Sequence, residues 1–421
     1  EAAGKLVNDY PGEAALFLPF AGGDMKALVT TYDASIEKHV AESVIRLLKE
    51  PKHFNALLQQ VSQKTALDEQ VIGYLNLAQD AMNVYQLQEA LAWINIRAIE
   101  EAVNDMNQYK GFDQTTNQTR LAELKMLTGR GFNDIYTNQP AALETANKAL
   151  KLKRDILLAN PELDVDKLIV GRYKIGTTAR QATPRALGTQ NNNWSNQTSA
   201  SRGGFDAEIT ELSNLRGDIK SRTIFKPTNG SSLPDLKLHW DADRILFSMV
   251  DTDKRWQVFE VGVDGKGLKK MIPDLEPDLE FFDATYLPSG KMIAVSNIGY
   301  NGVPCVNGND EVGNMCLYDP KDNSLRRLTF DQDANWAPTV MNNGRVMYTR
   351  WEYTDLTHYF SRFVMHMNPD GTEQKSLYGS GSYFPNSTFD AKPLPGNTSK
   401  FVGVISGHHG VTRSGRLMIF D

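Results

Sequence analysis

Two adjacent histidines, His408 and His409, stand between Gly407 and Gly410 in the stretch SGHHG. Imidazole is the commonest side-chain metal ligand and changes its protonation near neutral pH. Flanking glycines let the backbone approach a shared cavity closely. A metal would need a third ligand, and the stretch RWEYTDLTHYFSR offers Glu352, Asp355 and His358, with Tyr353 beside them. Neighbouring residues of an unbroken strand point to opposite faces, so a metal shared by His408 and His409 requires a turn that breaks the alternation. The same stretch sets Arg350 beside Glu352 and Asp355, where the guanidinium fork suits two carboxylate oxygens. That group reads either as an ion-pair clamp between repeats or as part of a ligand or catalytic site. His358, Tyr359 and Arg362 either hold an anion or sugar ring or satisfy loop carbonyls. His366, inside FVMHM, reads as a packed strand histidine, and His39 and His53 as helix residues without chemistry.

Other chemistries lack their motifs. The sequence contains no GxSxG elbow, no HExxH helix and no twelve-residue calcium loop; LTGRGF is too short for a phosphate cradle. Its two cysteines, Cys305 and Cys316, match neither a CxxC zinc pair nor the CxxCH haem attachment. Separated by a Gly/Asn-rich loop, they are expected to form a local disulfide, a bond favoured outside the cytoplasm. A net charge of -6 with no Lys/Arg-rich run gives no basic stripe for nucleic acid. No apolar run reaches the roughly 20 residues that span a bilayer.

The elements that must position these residues are written in two grammars. From about residue 34 to 158, apolar residues recur at helical spacing, as in SIEKHVAESVIRLLKE and PAALETANKALKLKRDILLANP. Asn, Ser, Thr and Gly dominate TTARQATPRALGTQNNNWSNQTSASRGG, a loop or linker composition. From about 233 the period changes to two, with repeats such as LHWDADRILFSMV, ATYLPSGKMIAVSNI, PTVMNNGRVMYTRW and PLPGNTSKFVGVISG, each followed by a second hairpin. Asp264-Gly265, Asp322-Asn323 and Asp370-Gly371 mark tight turns. Four strands per repeat at this period is the pattern of a β-propeller blade. The expectation is α+β and multidomain: a helical domain over 1–160, a linker with possible first strands over 161–232, and propeller blades over 233–421. Three full blades and the start of a fourth fit that last span, whereas six to eight are expected overall. Segments such as GRYKIG, a continuation of the chain, or a protein partner are expected to complete the ring.

Several long stretches carry a family likeness. RDILLANPELDVDKLIVGRY, LRRLTFDQDANWAPTVMNNGRVMYTRWEYTDLTHYFSRFVMHMNPDGTEQKSLYGSGSYFPNS and PLPGNTSKFVGVISGHHGVTRSGRLMIFD resemble, in order, the middle propeller domain of proteins related to the alpha subunit of hydrazine synthase. The resemblance covers roughly residues 150–421. It implies a bacterial, extracytoplasmic propeller, often part of larger proteins that carry or contact c-type haem. Hydrazine synthase attaches haem through CxxCH, which this sequence lacks, so no covalent c-type haem is expected in this chain. No catalytic residues carry over. Three functions are consistent with these features. The leading one is a scaffold or binding subunit of a larger, redox-associated assembly. The others are an enzyme with a His/acid site in the propeller depression, metal- or haem-assisted, and a glycan-binding surface using Trp336, Trp351 and Tyr383.

Overall fold

The computed structural model describes the chain from residue 87 onward, apart from 89, 133–134, 136–139, 164, 174–195, 305–307, 309, 353–361, 381–386, 408–412 and 414. The chain falls into two compact units. The first contains helices α1 (Ile96–Met106), α2 (Gln114–Arg130) and α3 (Pro140–Leu157). Asn95 caps α1 by accepting from the Ala98 N–H at 3.1 Å, and Asp113 caps α2 by accepting from Thr116 at 3.0 Å. Pro140 occupies the first turn of α3, where a missing N–H costs nothing. Ile99, Val103 and Met106 of α1, Leu121, Leu124 and Leu127 of α2, and Ala146, Ala149, Leu152 and Ile156 of α3 face one another in a single core. The long helical run read through AWINIRAIEE is broken at Trp93–Asn95, where the cap restarts it.

The second unit is a β-propeller built from five antiparallel sheets. The first holds β1 (Lys167–Tyr173), β2 (Ala207–Ser213) and β3 (Lys220–Phe225). The second runs β4 (Lys237–Leu238), β5 (Arg244–Val250), β6 (Trp256–Gly262) and β7 (Lys269–Lys270). The third comprises β8 (Phe281–Tyr286), β9 (Met292–Ser296), β10 (Asn314–Asp319) and β11 (Ser324–Arg327). The fourth comprises β12 (Asn335–Val340), β13 (Val346–Trp351), β14 (Arg362–Met367) and β15 (Lys375–Tyr378). The fifth holds β16 (Thr388–Pro393), β17 (Phe401–Ser406) and β18 (Gly415–Phe420). Gly265 and Gly371, at φ of 84° and 83°, make two of the expected hairpin turns.

One sheet more is present than the alternation pattern beginning at 233 suggested. β3 is exposed at four of its six positions, so it has no period-two signal to read. The first sheet nevertheless belongs to the stack: Ala207, Ile209 and Ile224 pack on Ile245, Phe247 and Val261 of the second. Each later pair of sheets shares a similar apolar layer.

Alternation makes the fifth sheet asymmetric. Phe401 and Phe420 stack at 4.6 Å between centroids and pack toward Val364 and Met347 of the fourth sheet. Their neighbours Val402, Val404, Leu417 and Ile419 pair on the opposite face, where Leu417 is 72% and Ile419 65% exposed. Phe401→Ala should therefore cost about 3–5 kcal/mol by empty core volume. Leu417→Ala should cost less than about 0.5 kcal/mol; chemical denaturation of the two variants measures the difference.

Candidate functional site

The innermost strands repeat one local device. In β8, β12 and β16 the register slips between Phe282/Thr285, Trp336/Thr339 and Phe389/Lys392. At each slip a residue has positive φ: Asp283 at 45°, Ala337 at 54° and Asp390 at 49°. Asp235, at φ 65°, takes the same place before β4. The sequences PDLK, FDAT, WAPT and FDAK are therefore equivalent positions of four sheets. A bulge frees a backbone N–H from its ladder, and here the neighbouring sheet accepts it. The Asp283 N–H donates to Ser248 Oγ at 2.9 Å, Ser248 Oγ donates to Asp235 Oδ2 at 3.1 Å, and the Ala337 N–H donates to Asp283 Oδ2 at 2.6 Å. Gln197 Nε2 is a further donor to Asp235. These bonds tie the second, third and fourth sheets together around the propeller's centre.

Cations complete the cluster. Lys237 Nζ lies 3.9 Å from Asp283 Oδ1 and beside the Lys392 amine. Arg413 stacks over Trp336 at 4.2 Å and Phe389 at 5.2 Å, within electrostatic reach of Asp390, Asp283 and Asp235. Burial, and then repulsion from Asp283, pushes the Asp235 carboxyl up to about 7. Burial, and then the neighbouring Lys237 charge, pulls Lys392 down to about 7. Burial works against charge on Lys237, but Asp283, the hydrogen bond with Lys392, Asp235 and Asp390 together outweigh it and raise its pKa. Asp235 and Lys237 are surrounded by protein yet retain partial solvent exposure, and Asp390 is exposed, as befits side chains lining a hollow.

Of the residues singled out in the sequence, Arg350, Glu352 and Arg362 are described; Tyr353, Asp355, His358, His408 and His409 lie outside the described residues. Arg350 pairs with Glu352 at 2.8 Å and with Asp331 at 2.7 Å. Asp331 sits in the link from the third sheet to the fourth, so this group is a clamp on the chain path. Arg362 is 1% exposed, its guanidinium 4.8 Å from the Trp351 ring centroid. Trp351 and Trp336 stack at 6.2 Å, with Arg413 beyond, giving a buried column of cation, two indoles and cation. Both indoles are buried, which removes two of the three surfaces considered for sugar stacking; Tyr383 lies outside the described residues. His366 accepts from Arg345 Nε at 2.9 Å, as a packed strand histidine should, and burial followed by the Arg345 charge lowers its pKa.

No disulfide is present among the described residues. Cys316 is a free, buried thiol in mid-strand, between Ala294 and Arg327 of the flanking strands, and burial raises its pKa to about 12. Cys305 lies outside the described residues. The expected clip at Cys316 is thus replaced by an interior thiol, packed as a small apolar side chain.

Sequence reading missed the inner-strand repeat, although FDAT and FDAK were visible, because the bulge disturbs the alternation used to find strands. It also passed over His239, Asp241 and Asp243, whose ligand atoms lie within 4.8 Å of one another. There Arg244 approaches His239 Nε2 at 2.6 Å and Asp243 at 2.7 Å, so a guanidinium already fills the place of a cation. A cleft of about 980 Å³ between the first and second sheets, with Phe225, Met249 and Asp251 among its lining, contains none of these groups.

No family model matches the sequence, and no curated protein matches it. Among solved structures, hydrazine synthase from Kuenenia stuttgartiensis is similar at 15% identity and a TM-score of 0.46, over 61% of this chain and 38% of that one. TolB from Acinetobacter baumannii matches at 17% identity and TM-score 0.32, over 51% and 48%. An oligogalacturonate lyase from Vibrio parahaemolyticus matches at 12% and 0.35, over 61% and 62%. The chain thus spans less than two thirds of each of these structures. The likeness is one of fold, that of β-propeller proteins with differing functions.

Replacing Asp235 tests the electrostatics. A carboxyl whose folded pKa is raised contributes stability below its unfolded value near 3.9 and loses it as pH rises through about 7. Asp235→Asn should be more stable than the parent at pH 8, by on the order of 1 kcal/mol, with the gain vanishing toward pH 4. Denaturant melts across that range read the difference. Asp283→Ala removes the acceptor of the Ala337 N–H and should cost about 1–3 kcal/mol.

Proposed function

We propose that the protein is a β-propeller binding subunit of a larger extracytoplasmic assembly, and that the assembly is joined at the free face of the fifth sheet. The carrying observation is the apolar face of Val402, Val404, Leu417 and Ile419, paired in register across β17 and β18, on which Leu417 and Ile419 are exposed and no other sheet packs among the described residues. Every other apolar layer between sheets is closed by a neighbour. An exposed apolar face rimmed by polar residues marks an interaction surface, and the exposed strand edge beside it invites a further strand. Its occupant is another apolar sheet face, from a partner protein or a further segment, that continues the ring. The extracytoplasmic placement and a redox-associated setting rest on the motif resemblance.

The chain prepared alone should bind a hydrophobic dye and self-associate as concentration rises. The double variant Leu417→Lys, Ile419→Lys should stay monomeric in sedimentation velocity, with a melting curve close to that of the parent. A parent chain that is already a dye-silent monomer at high concentration would remove the docking role.

A further inference from the structure

We propose that Lys392 is the amine of a carbonyl-binding site at the propeller's centre, condensing with a small aldehyde or ketone to form an imine. Two lysines reach this point from opposite ends of the described repeat. Lys237 follows the positive-φ Asp235 by two residues in the second sheet, and Lys392 follows the positive-φ Asp390 by two in the fifth. Lys392 Nζ is buried beside the Lys237 amine, and of the neighbouring carboxylates Asp283 and Asp235 are committed elsewhere, which leaves Asp390 to attract it. Asp283 accepts from Ala337 and faces Lys237, and Asp235 accepts from Ser248 and Gln197. Asp390, on the same bulge as Lys392, is exposed, so the cluster opens to solvent on that side.

Chemistry favours an amine over an ammonium here. Removal from water, and then the adjacent Lys237 charge, lower the pKa of Lys392 to about 7 against the attraction of Asp390 and Asp283. A desolvated lysine beside another cation is the arrangement that makes this side chain a nucleophile. Its lone pair attacks the carbonyl carbon, and the carbonyl oxygen takes a proton to give a carbinolamine. Loss of water then yields the imine, one carbonyl and one amine giving one imine and one water, without oxidant or reductant. Lys237, protonated and beside Lys392, can supply the proton that the departing hydroxyl needs.

Reductive methylation of the full chain with isotopic formaldehyde and cyanoborohydride, followed residue by residue in a mass spectrometer from pH 6 to 10, tests the proposal. At pH 7 Lys392 should be modified at least about tenfold faster than the exposed Lys254 and Lys266, with a midpoint near 7. Lys237→Met should move that midpoint upward and cut the rate at pH 7 by about tenfold or more, one pKa unit being a factor of ten. Lys237→Arg keeps the charge and should preserve the reactivity. The proposal fails if Lys392 follows the surface lysines, or stays unmodified in protein shown to be folded. It also fails if Lys237→Met, folded by circular dichroism, leaves its reactivity unchanged. Should Lys237→Met not fold, the parent profile and Lys237→Arg decide the matter.

Discussion

A sheet buried between two others must present apolar side chains on both faces, and everything else in the propeller follows from that requirement. Strand alternation sends one set of residues to each neighbour, so the four-stranded sheets read as nearly continuous apolar runs: β9 is buried at all five positions and β8 at all six. The same requirement makes the fifth sheet informative. β17 and β18 carry aliphatic residues on both faces, as interior sheets do, yet only the Phe401/Phe420 face is covered among the described residues. A sheet designed to face water would alternate with polar residues there. Leu417 and Ile419 therefore obey the rule of the interior while standing on a surface.

The requirement that sheets converge at a centre imposes a second constraint. The inner strands line that centre, and the bulges at Asp283, Ala337 and Asp390 turn each of them with one extra residue. Each bulge holds a non-glycine residue at positive φ, a costly conformation that Asp and Asn tolerate better than most side chains. The strain is offset by the hydrogen bonds it creates, from Asp283 N–H to Ser248 and from Ala337 N–H to Asp283. Ala337 shows that an acid is not obligatory for the turn itself. The three sites that keep Asp thus add charge to a place where backbone geometry alone did not demand it.

The repeats from 233 onward were legible because tight turns and alternation coincide there; Asp370-Gly371 and its flanking strands fall where the pattern put them. The first sheet was legible only in part: GRYKIG was offered as a strand and β1 takes in its first three residues, but β3 has an exposed, charged face and a long Asn-rich stretch separates β1 from β2. Arg350 and Glu352 were readable as an ion pair, but their third member, Asp331, lies nineteen positions earlier and is joined to them by strand pairing alone. The central cluster was harder still. Asp235 and Lys392 are 157 positions apart, and no local motif announces that four inner strands bring such residues together. Histidine and its neighbours drew attention because their chemistry is apparent from residue type, whereas a lysine becomes unusual only through its surroundings.

That contrast separates the two kinds of buried cation in this propeller. Arg362 and Arg413 are held against indole faces, where the π cloud partly replaces water and the delocalised guanidinium keeps its charge. They close the column of Trp351 and Trp336 between the fourth and fifth sheets and are best understood as packing. Lys392 has no such surface. Its charge is concentrated on one nitrogen, and a second lysine, Lys237, stands beside it. Asp283 faces Lys237, and the attraction of Asp390 and Asp283 for Lys392 is outweighed by burial and the Lys237 charge. Arginine in that place would stay charged and strain the cluster; lysine can release a proton and leave a free electron pair. The choice of residue at 392 thus converts an electrostatic imbalance into a reactive group.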